Sequence, residues 1–127
     1  MESTSELKLF EENFHLYRKI CESVAIRDTK GFYYQFENDI EIAIFRDTGR
    51  LYAISNICPH QHSSVLHKGY IEDCTITCPL HGWMYSLKTG KALGGGASLK
   101  TYKVFERDGF VYVEIPNVEE PSWAKNL

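Results

Sequence analysis

Cys58-Pro59-His60 and Cys78-Pro79-Leu80-His81 are two short segments in which a histidine closely follows a cysteine. The seventeen residues 61–77 separate them. Thiolates and imidazoles bind zinc and iron in proteins, so two pairs on two loops predict one metal site. A single tetrahedral zinc ion and a dinuclear iron–sulfur cluster with two histidine ligands are both compatible with this set of side chains.

The size and charge of the chain narrow its possible functions. Its 127 residues are enough for one domain with its own hydrophobic core. A formal net charge of −3 is unlike the basic surface that binds nucleic acid. Residues 1–6 lack the features of a signal peptide, and no apolar run reaches the roughly 18 residues that span a bilayer. The sequence predicts a soluble cytoplasmic protein with protein partners, and no binding to nucleic acid or to membranes.

Two of the four cysteines, Cys21 and Cys74, lie outside the metal segments. A disulfide between them is not expected in a reducing compartment. Side chains alternate along a strand, which places Cys74 on the same face as Ile76 and Cys78. Cys74 is therefore predicted to be a small core residue rather than a metal ligand.

Short runs of β-branched and aromatic residues alternate with turn residues, and helical periodicity is almost absent. This pattern is typical of an all-β sandwich or barrel. Asp47-Thr48-Gly49 and Arg107-Asp108-Gly109 each separate two such runs and predict antiparallel hairpins. The predicted strands cover residues 16–24, 32–36, 41–46, 51–54, 75–77, 83–86, 100–105 and 110–115.

The distribution of the four metal-binding side chains favours iron over zinc. Zinc fingers usually place two cysteines in one segment and two histidines in the other, whereas each segment here carries one of each. Such a set suits a dinuclear cluster, because each loop gives its cysteine to one iron and its histidine to the other. A zinc domain of this type would also be much shorter, since the metal then replaces a core.

Both loops with their flanks, Ile54-Ser55-Asn56-Ile57-Cys58-Pro59-His60 and Cys78-Pro79-Leu80-His81-Gly82-Trp83, resemble the cluster loops of Rieske iron–sulfur proteins. The resemblance extends roughly over residues 17–115 and includes Gly69 before a strand at Tyr70-Ile71. It implies a Rieske-type antiparallel β sandwich or barrel with a small cluster-binding subdomain.

The resemblance also implies a domain organisation. A single Rieske domain is expected at residues 1–115, with its cluster-binding subdomain at about residues 56–97. Residues 116–127 are expected to form a tail anchored by Trp123.

The ligand set follows from the same resemblance. Cys58 and Cys78 are expected to bind one iron of a single 2Fe–2S cluster, and His60 and His81 to bind the other. Neutral imidazoles leave the cluster less negative than four thiolates would, which raises its reduction potential. In this family the electron enters at the histidine-ligated iron and leaves through the imidazoles at the surface.

Other positions indicate a subclass of low potential. High-potential Rieske subunits carry a disulfide between the loops, at positions that Ser63 and Leu80 occupy here. A serine and a tyrosine donate hydrogen bonds to the cluster sulfurs in those subunits. Trp83 replaces the serine, whereas Tyr85 stands at the tyrosine position. We expect a potential in the lower part of the roughly −150 to +300 mV Rieske range, raised slightly by Tyr85.

Further side chains are expected to surround the cluster. Trp83 and Leu80 are expected to shield it from water, whereas His67 is expected at the surface. His62 replaces the glycine usual in this family and is either a solvated histidine or a titrating neighbour of the cluster. The predicted environment comprises His62, Leu80, Gly82, Trp83 and Tyr85. Because Gly94-Gly95-Gly96-Ala97 replaces the usual proline of the covering loop, we expect a loosely covered cluster.

The resemblance implies an electron carrier that is not an enzyme by itself. One possibility is a ferredoxin that passes single electrons from a flavin-containing reductase to a terminal oxygenase. The other is the small subunit of an assimilatory NAD(P)H nitrite reductase, to which residues 41–46, 51–54 and 78–83 are similar. Ferredoxins share much of this similarity, and we favour the ferredoxin slightly. A zinc-stabilised interaction module is a distant alternative.

Overall fold

A computed structural model describes residues 9–12, 15–37, 39–59, 62–80 and 82–116. Apart from two short 3₁₀ helices at Ser23–Ala25 and Leu66–Lys68, the regular structure in these ranges is β-strand, and no helix there is long and apolar enough to cross a membrane. The strands are β1 (Leu9–Glu12), β2 (His15–Glu22), β3 (Phe32–Gln35), β4 (Glu41–Asp47), β5 (Arg50–Ser55), β6 (Tyr70–Glu72), β7 (Thr75–Thr77), β8 (Met84–Ser86), β9 (Thr101–Tyr102), β10 (Val104–Arg107) and β11 (Phe110–Glu114).

The strands form three antiparallel sheets. An outer sheet has the order β1-β2-β11-β10, a central sheet the order β3-β4-β5-β9, and a small sheet the order β6-β7-β8. This confirms the predicted all-β antiparallel fold. The small sheet and the segments that begin at Cys58 and Cys78 fall within residues 56–97. Trp123 lies outside the described residues.

The predicted strands agree with the structure to within two residues at their ends, except at two places. The run at residues 100–105 is divided at Lys103, because Thr101 and Tyr102 pair with the central sheet whereas Val104 pairs with the outer sheet. Strand β1 was not predicted, since its sequence Leu-Phe-Glu-Glu lacks the alternation that marks a half-buried strand. It pairs with β2 at the edge of the outer sheet.

Strand β4 is buried on both of its faces. Ile42 and Ile44 point into one core, whereas Ala43 and Phe45 point into another, and all four side chains are fully buried. A strand covered on both faces shows a continuous apolar run rather than alternation. The central sheet is therefore the middle layer of the molecule.

Two hydrophobic cores lie on opposite sides of this layer. The body core fills the space between the central and outer sheets and contains Ile26, Phe36, Ile42, Ile44, Ala53, Val111 and Val113. The site core lies between the central and small sheets and contains Ala43, Phe45, Ile54, Cys58, Leu66, Ile76, Cys78, Tyr85, Leu87 and Leu99. Both cysteines of the predicted metal site thus belong to the site core.

Candidate metal centre

The two cysteine loops are closed at their base by equivalent residue pairs. Ile57 pairs with Ser64 across the first loop, and Thr77 pairs with Met84 across the second. In both cases the first residue of the pair directly precedes the cysteine, and the second residue lies six positions after the cysteine. The loops therefore have the same length and the same register.

Hydrogen bonds inside the first loop fix the backbone around Cys58. The N–H of Cys58 donates to the carbonyl oxygen of Ser63 at 3.0 Å, and its carbonyl accepts from the N–H of His62 at 2.6 Å. His62 closes this turn in the left-handed conformation, with φ of 56°. Its side chain is exposed.

The second loop repeats this pattern. The N–H of Cys78 donates to the carbonyl oxygen of Trp83 at 2.7 Å, and its carbonyl accepts from the N–H of Gly82 at 3.1 Å. Gly82 has φ of 77° and occupies the position of His62. Glycine adopts this conformation without steric cost, whereas a side chain makes it unfavourable. The first loop thus carries backbone strain that the second avoids.

Both cysteine side chains are buried in the site core beside Tyr85. Cys58 is 0% exposed and Cys78 is 1% exposed. The hydroxyl of Tyr85 lies 3.7 Å from Sγ of Cys58. Burial raises the pKa of Tyr85, and the nearby sulfurs of Cys58 and Cys78 raise it further. The hydroxyl therefore remains protonated at neutral pH. A metal-bound thiolate has no proton to donate, and the hydroxyl is then the donor.

This donor set fits an iron–sulfur centre. Two thiols converge in one apolar core, which favours the soft ligand chemistry of iron and sulfide, and a protonated hydroxyl points at one of them. When bound, a 2Fe–2S cluster supplies one-electron oxidation and reduction at this place. His60 and His81 lie outside the described residues, so their assignment stays a prediction.

The remaining predicted neighbours differ in exposure. Trp83 is half-buried and packs against the site core, whereas Leu80 is 44% exposed and Gly82 is exposed. Cys74 is partly buried against the same core. Cys21 is a second free thiol, and burial raises its pKa to about 11, which keeps it protonated.

Sequence reasoning missed the pair formed by Asn56 and His67. Asn56 is fully buried, and its Oδ1 accepts a hydrogen bond from the backbone N–H of His67 at 2.6 Å. The expectation that His67 lies at the surface is wrong, since its ring is half-buried with Nδ1 3.0 Å from the same Oδ1. Burial lowers the pKa of His67, which favours the neutral ring. Because Oδ1 of Asn56 can only accept, Nδ1 is then the nitrogen that carries the proton. The one local signal was a polar residue, Asn56, directly after a buried strand.

Comparisons with known proteins agree with this geometry. The profile of the Rieske-like 2Fe–2S domain family matches residues 16–114. The chain therefore belongs to this family, and its metal centre is a Rieske 2Fe–2S cluster rather than a zinc site.

Three relatives show how far the likeness goes. The 3-phenylpropionate/cinnamic acid dioxygenase ferredoxin subunit of Photorhabdus laumondii is 41% identical over 78 residues, which span 59% of this chain and 73% of that protein. A chain in the complex of reduced oxygenase and oxidized ferredoxin in carbazole 1,9a-dioxygenase has a TM-score of 0.69 and 25% identity, over 75% of this chain and 98% of that chain. A candidate NADH-dependent nitrite reductase small subunit from Mycobacterium tuberculosis has a TM-score of 0.76 over 82% of this chain and 98% of that chain. Its identity of 19% shows the shared fold alone.

Replacing Tyr85 with Phe is expected to lower the midpoint potential of the cluster. The hydroxyl stabilises the more negative, reduced state by donating to Cys58 Sγ, and such a bond contributes about 0.5–1.5 kcal/mol. The expected shift is about −20 to −60 mV for one electron, measured by redox titration. Tyr112→Phe, a buried tyrosine of β11, is the matched control. An unchanged potential in Tyr85→Phe would mean that this ring only packs.

Replacing His62 with Gly is expected to stabilise the folded protein. The left-handed conformation costs a side chain about 1–2 kcal/mol, partly offset by the greater chain entropy of unfolded glycine. We expect a net gain of about 0.5–1 kcal/mol, measured by thermal unfolding of the cluster-loaded protein. Ser64→Gly, at an exposed position outside the left-handed region, should instead lower stability. A loss of stability in His62→Gly would contradict the strain.

Proposed function

We propose that this chain is a Rieske ferredoxin, which carries single electrons from a flavin-containing reductase to a terminal oxygenase. The main support is the arrangement of two matched loops that bring the buried Cys58 and Cys78 together at one side of the central sheet. The 41% identity to a dioxygenase ferredoxin subunit supports the oxygenase as the acceptor. The chain itself is then a carrier, and catalysis belongs to its partner. The predicted cytoplasmic location is part of this proposal.

We assign the cluster ligands to the two loops. Cys58 and Cys78 bind one iron as thiolates, and His60 and His81 bind the other iron through imidazole nitrogens. The support is that both cysteines hold the same place in equivalent loops and lie in one core. The histidines follow them in sequence by two and three positions, inside the same loops.

The second loop offers a surface for partner docking. Leu80, Met84 and Leu93 are 44%, 42% and 58% exposed. Met84 and Leu93 also line an open groove of about 440 Å³ together with Gly82, Trp83 and Gly94. Exposed apolar groups beside a functional site commonly mark a protein interface, since the partner removes them from water. We propose that the oxygenase docks here, with an apolar surface of its own next to the cluster.

The four cysteines provide a matched test of the ligand assignment. Cys58→Ala and Cys78→Ala are expected to lose the 2Fe–2S cluster, because each removes a thiolate ligand. Cys21→Ala and Cys74→Ala are expected to retain two iron and two sulfide per chain, with the EPR signal of a reduced Rieske centre. Iron and sulfide analysis together with EPR measures both outcomes. A cluster retained without Cys58 or Cys78 would refute the assignment, and one zinc without sulfide would support the zinc module.

Electron transfer assays test the function and the docking surface together. The reduced protein should reduce an aromatic-ring dioxygenase faster than a sirohaem nitrite reductase. Met84→Ser and Leu93→Ser should slow that reaction about tenfold, the effect of losing an interface anchor, without changing the midpoint potential. Val24→Ser is the control, an exposed apolar residue whose neighbour Ser23 bonds the turn between β10 and β11. Transfer to the nitrite reductase alone would replace the oxygenase in this proposal.

A further inference from the structure

The two cysteine loops differ in how their bases are held. The second loop connects β7 and β8, which form three successive residue pairs, from Thr75–Ser86 to Thr77–Met84. The first loop has a single bridge between Ile57 and Ser64, followed by the 3₁₀ helix Leu66–Lys68. An isolated bridge constrains the chain less than a ladder, because fewer hydrogen bonds hold it. Other contacts must hold the first loop if both cysteines are to keep equivalent positions.

The side chain of Asn56 supplies such contacts. It stands two residues before Cys58, and its Oδ1 receives both the N–H of His67 at 2.6 Å and the Nδ1 of His67 at 3.0 Å. These bonds join the residues just before the loop to the helix just after it. The first loop is thus closed twice, by the Ile57–Ser64 bridge and, further from Cys58 in sequence, by the bonds between Asn56 and His67.

Asn56 is also bound to the central sheet. Its backbone N–H donates to the carbonyl oxygen of Glu41 at 3.0 Å, and its Nδ2 lies 3.5 Å from Oε1 of the same residue. Its carbonyl oxygen accepts from the N–H of Leu66 at 3.2 Å. Every polar group of this buried residue thus has a partner, and the partners belong to two different segments, β4 and the 3₁₀ helix Leu66–Lys68.

His67 also contacts the segment at the start of β3. Its ring packs on Tyr33 with ring centroids 5.2 Å apart. A Cβ atom at Gly31 would overlap with the carbonyl oxygen of His67, so the backbone before β3 lies directly against this residue. The position of His67 is therefore fixed by contacts outside the first loop. Its hydrogen bonds to Asn56 then hold the start of that loop in place.

We infer that Asn56 and His67 form a clip that positions the first cluster loop, in place of the strand ladder that positions the second. Asn56 is a positioning residue here, since it acts on the cluster through Cys58 rather than by touching it. The inference rests on the proposed assignment of Cys58 as a ligand. Residues that orient metal ligands affect metal affinity about 10–100-fold when they are removed.

The test measures how fast the cluster is lost from the intact, loaded protein to an iron chelator. Asn56→Ala is expected to lose it about tenfold faster than the unmodified protein, because both side-chain bonds to His67 disappear. His67→Ala keeps the backbone bond and is expected to lose it about fivefold faster. His67→Asn places an amide donor near the position of Nδ1 and should restore a rate close to that of the unmodified protein. The visible absorbance of the cluster follows each reaction.

A control separates positioning from general loss of stability. Val111→Ala removes buried groups from the body core, which contains neither Cys58 nor Cys78. Compared at equal distance below their unfolding temperatures, Asn56→Ala should lose the cluster faster than Val111→Ala. The EPR g-values of the reduced cluster should also change in Asn56→Ala and stay constant in Val111→Ala.

The outcomes distinguish the inference from the proposed function. Equal loss rates and equal g-values in Asn56→Ala and Val111→Ala would overturn the clip while leaving the ligand assignment intact. An unmodified protein without two iron and two sulfide per chain would overturn the assignment itself. If Asn56→Ala does not fold, the contrast between His67→Ala and His67→Asn decides, and equal rates for these two variants would refute the clip.

Discussion

The burial of β4 on both faces is the constraint on which the rest of the structure depends. Ile42 and Ile44 fill the body core, whereas Ala43 and Phe45 form the floor of the site core. A fully buried apolar side chain contributes about 1.5–3 kcal/mol, so the two layers are joined by a large part of the folding free energy. The metal centre therefore rests on a strand that is buried on both of its faces. Glu41, at the start of this strand, extends the same support to Asn56.

Much of this arrangement could be predicted from short-range pattern. Turn residues and β-branched runs located most strands, and the spacing of cysteine and histidine indicated the metal site, because each signal lies within a few neighbouring residues. The division at Lys103 could not be predicted, since it depends on which sheets the flanking residues join. The bond between Asn56 and His67 is equally non-local, and their residue types alone say nothing about it. The left-handed turn at His62 was missed for a different reason, because only the closed loop reveals the conformation.

The equivalence of the loops shows why the fourth residue after each cysteine matters. Both loops need a left-handed residue four positions after the cysteine to close their turns, and Gly82 provides it without strain. His62 provides it at a cost, so the first loop needs stronger support from its surroundings than the second. The ladder beneath the second loop and the polar contacts beneath the first are two solutions to this requirement. They differ because the first loop leads into a 3₁₀ helix, whereas the second continues as a strand.

The electrostatics of the site core follow from the same packing. Adding an electron to a centre ringed by apolar side chains is unfavourable, because a buried negative charge loses its hydration. The hydroxyl of Tyr85 opposes this effect at Cys58, but Trp83 occupies the position where a second hydroxyl would act in high-potential relatives. The exposed Leu80 and the open groove beside Trp83 leave one side of the second loop accessible to water. Burial lowers the potential, whereas the hydroxyl of Tyr85 and the access of water raise it. Because Trp83 provides no second hydroxyl donor, we expect a potential in the lower part of the Rieske range, where an electron is readily given up to an acceptor.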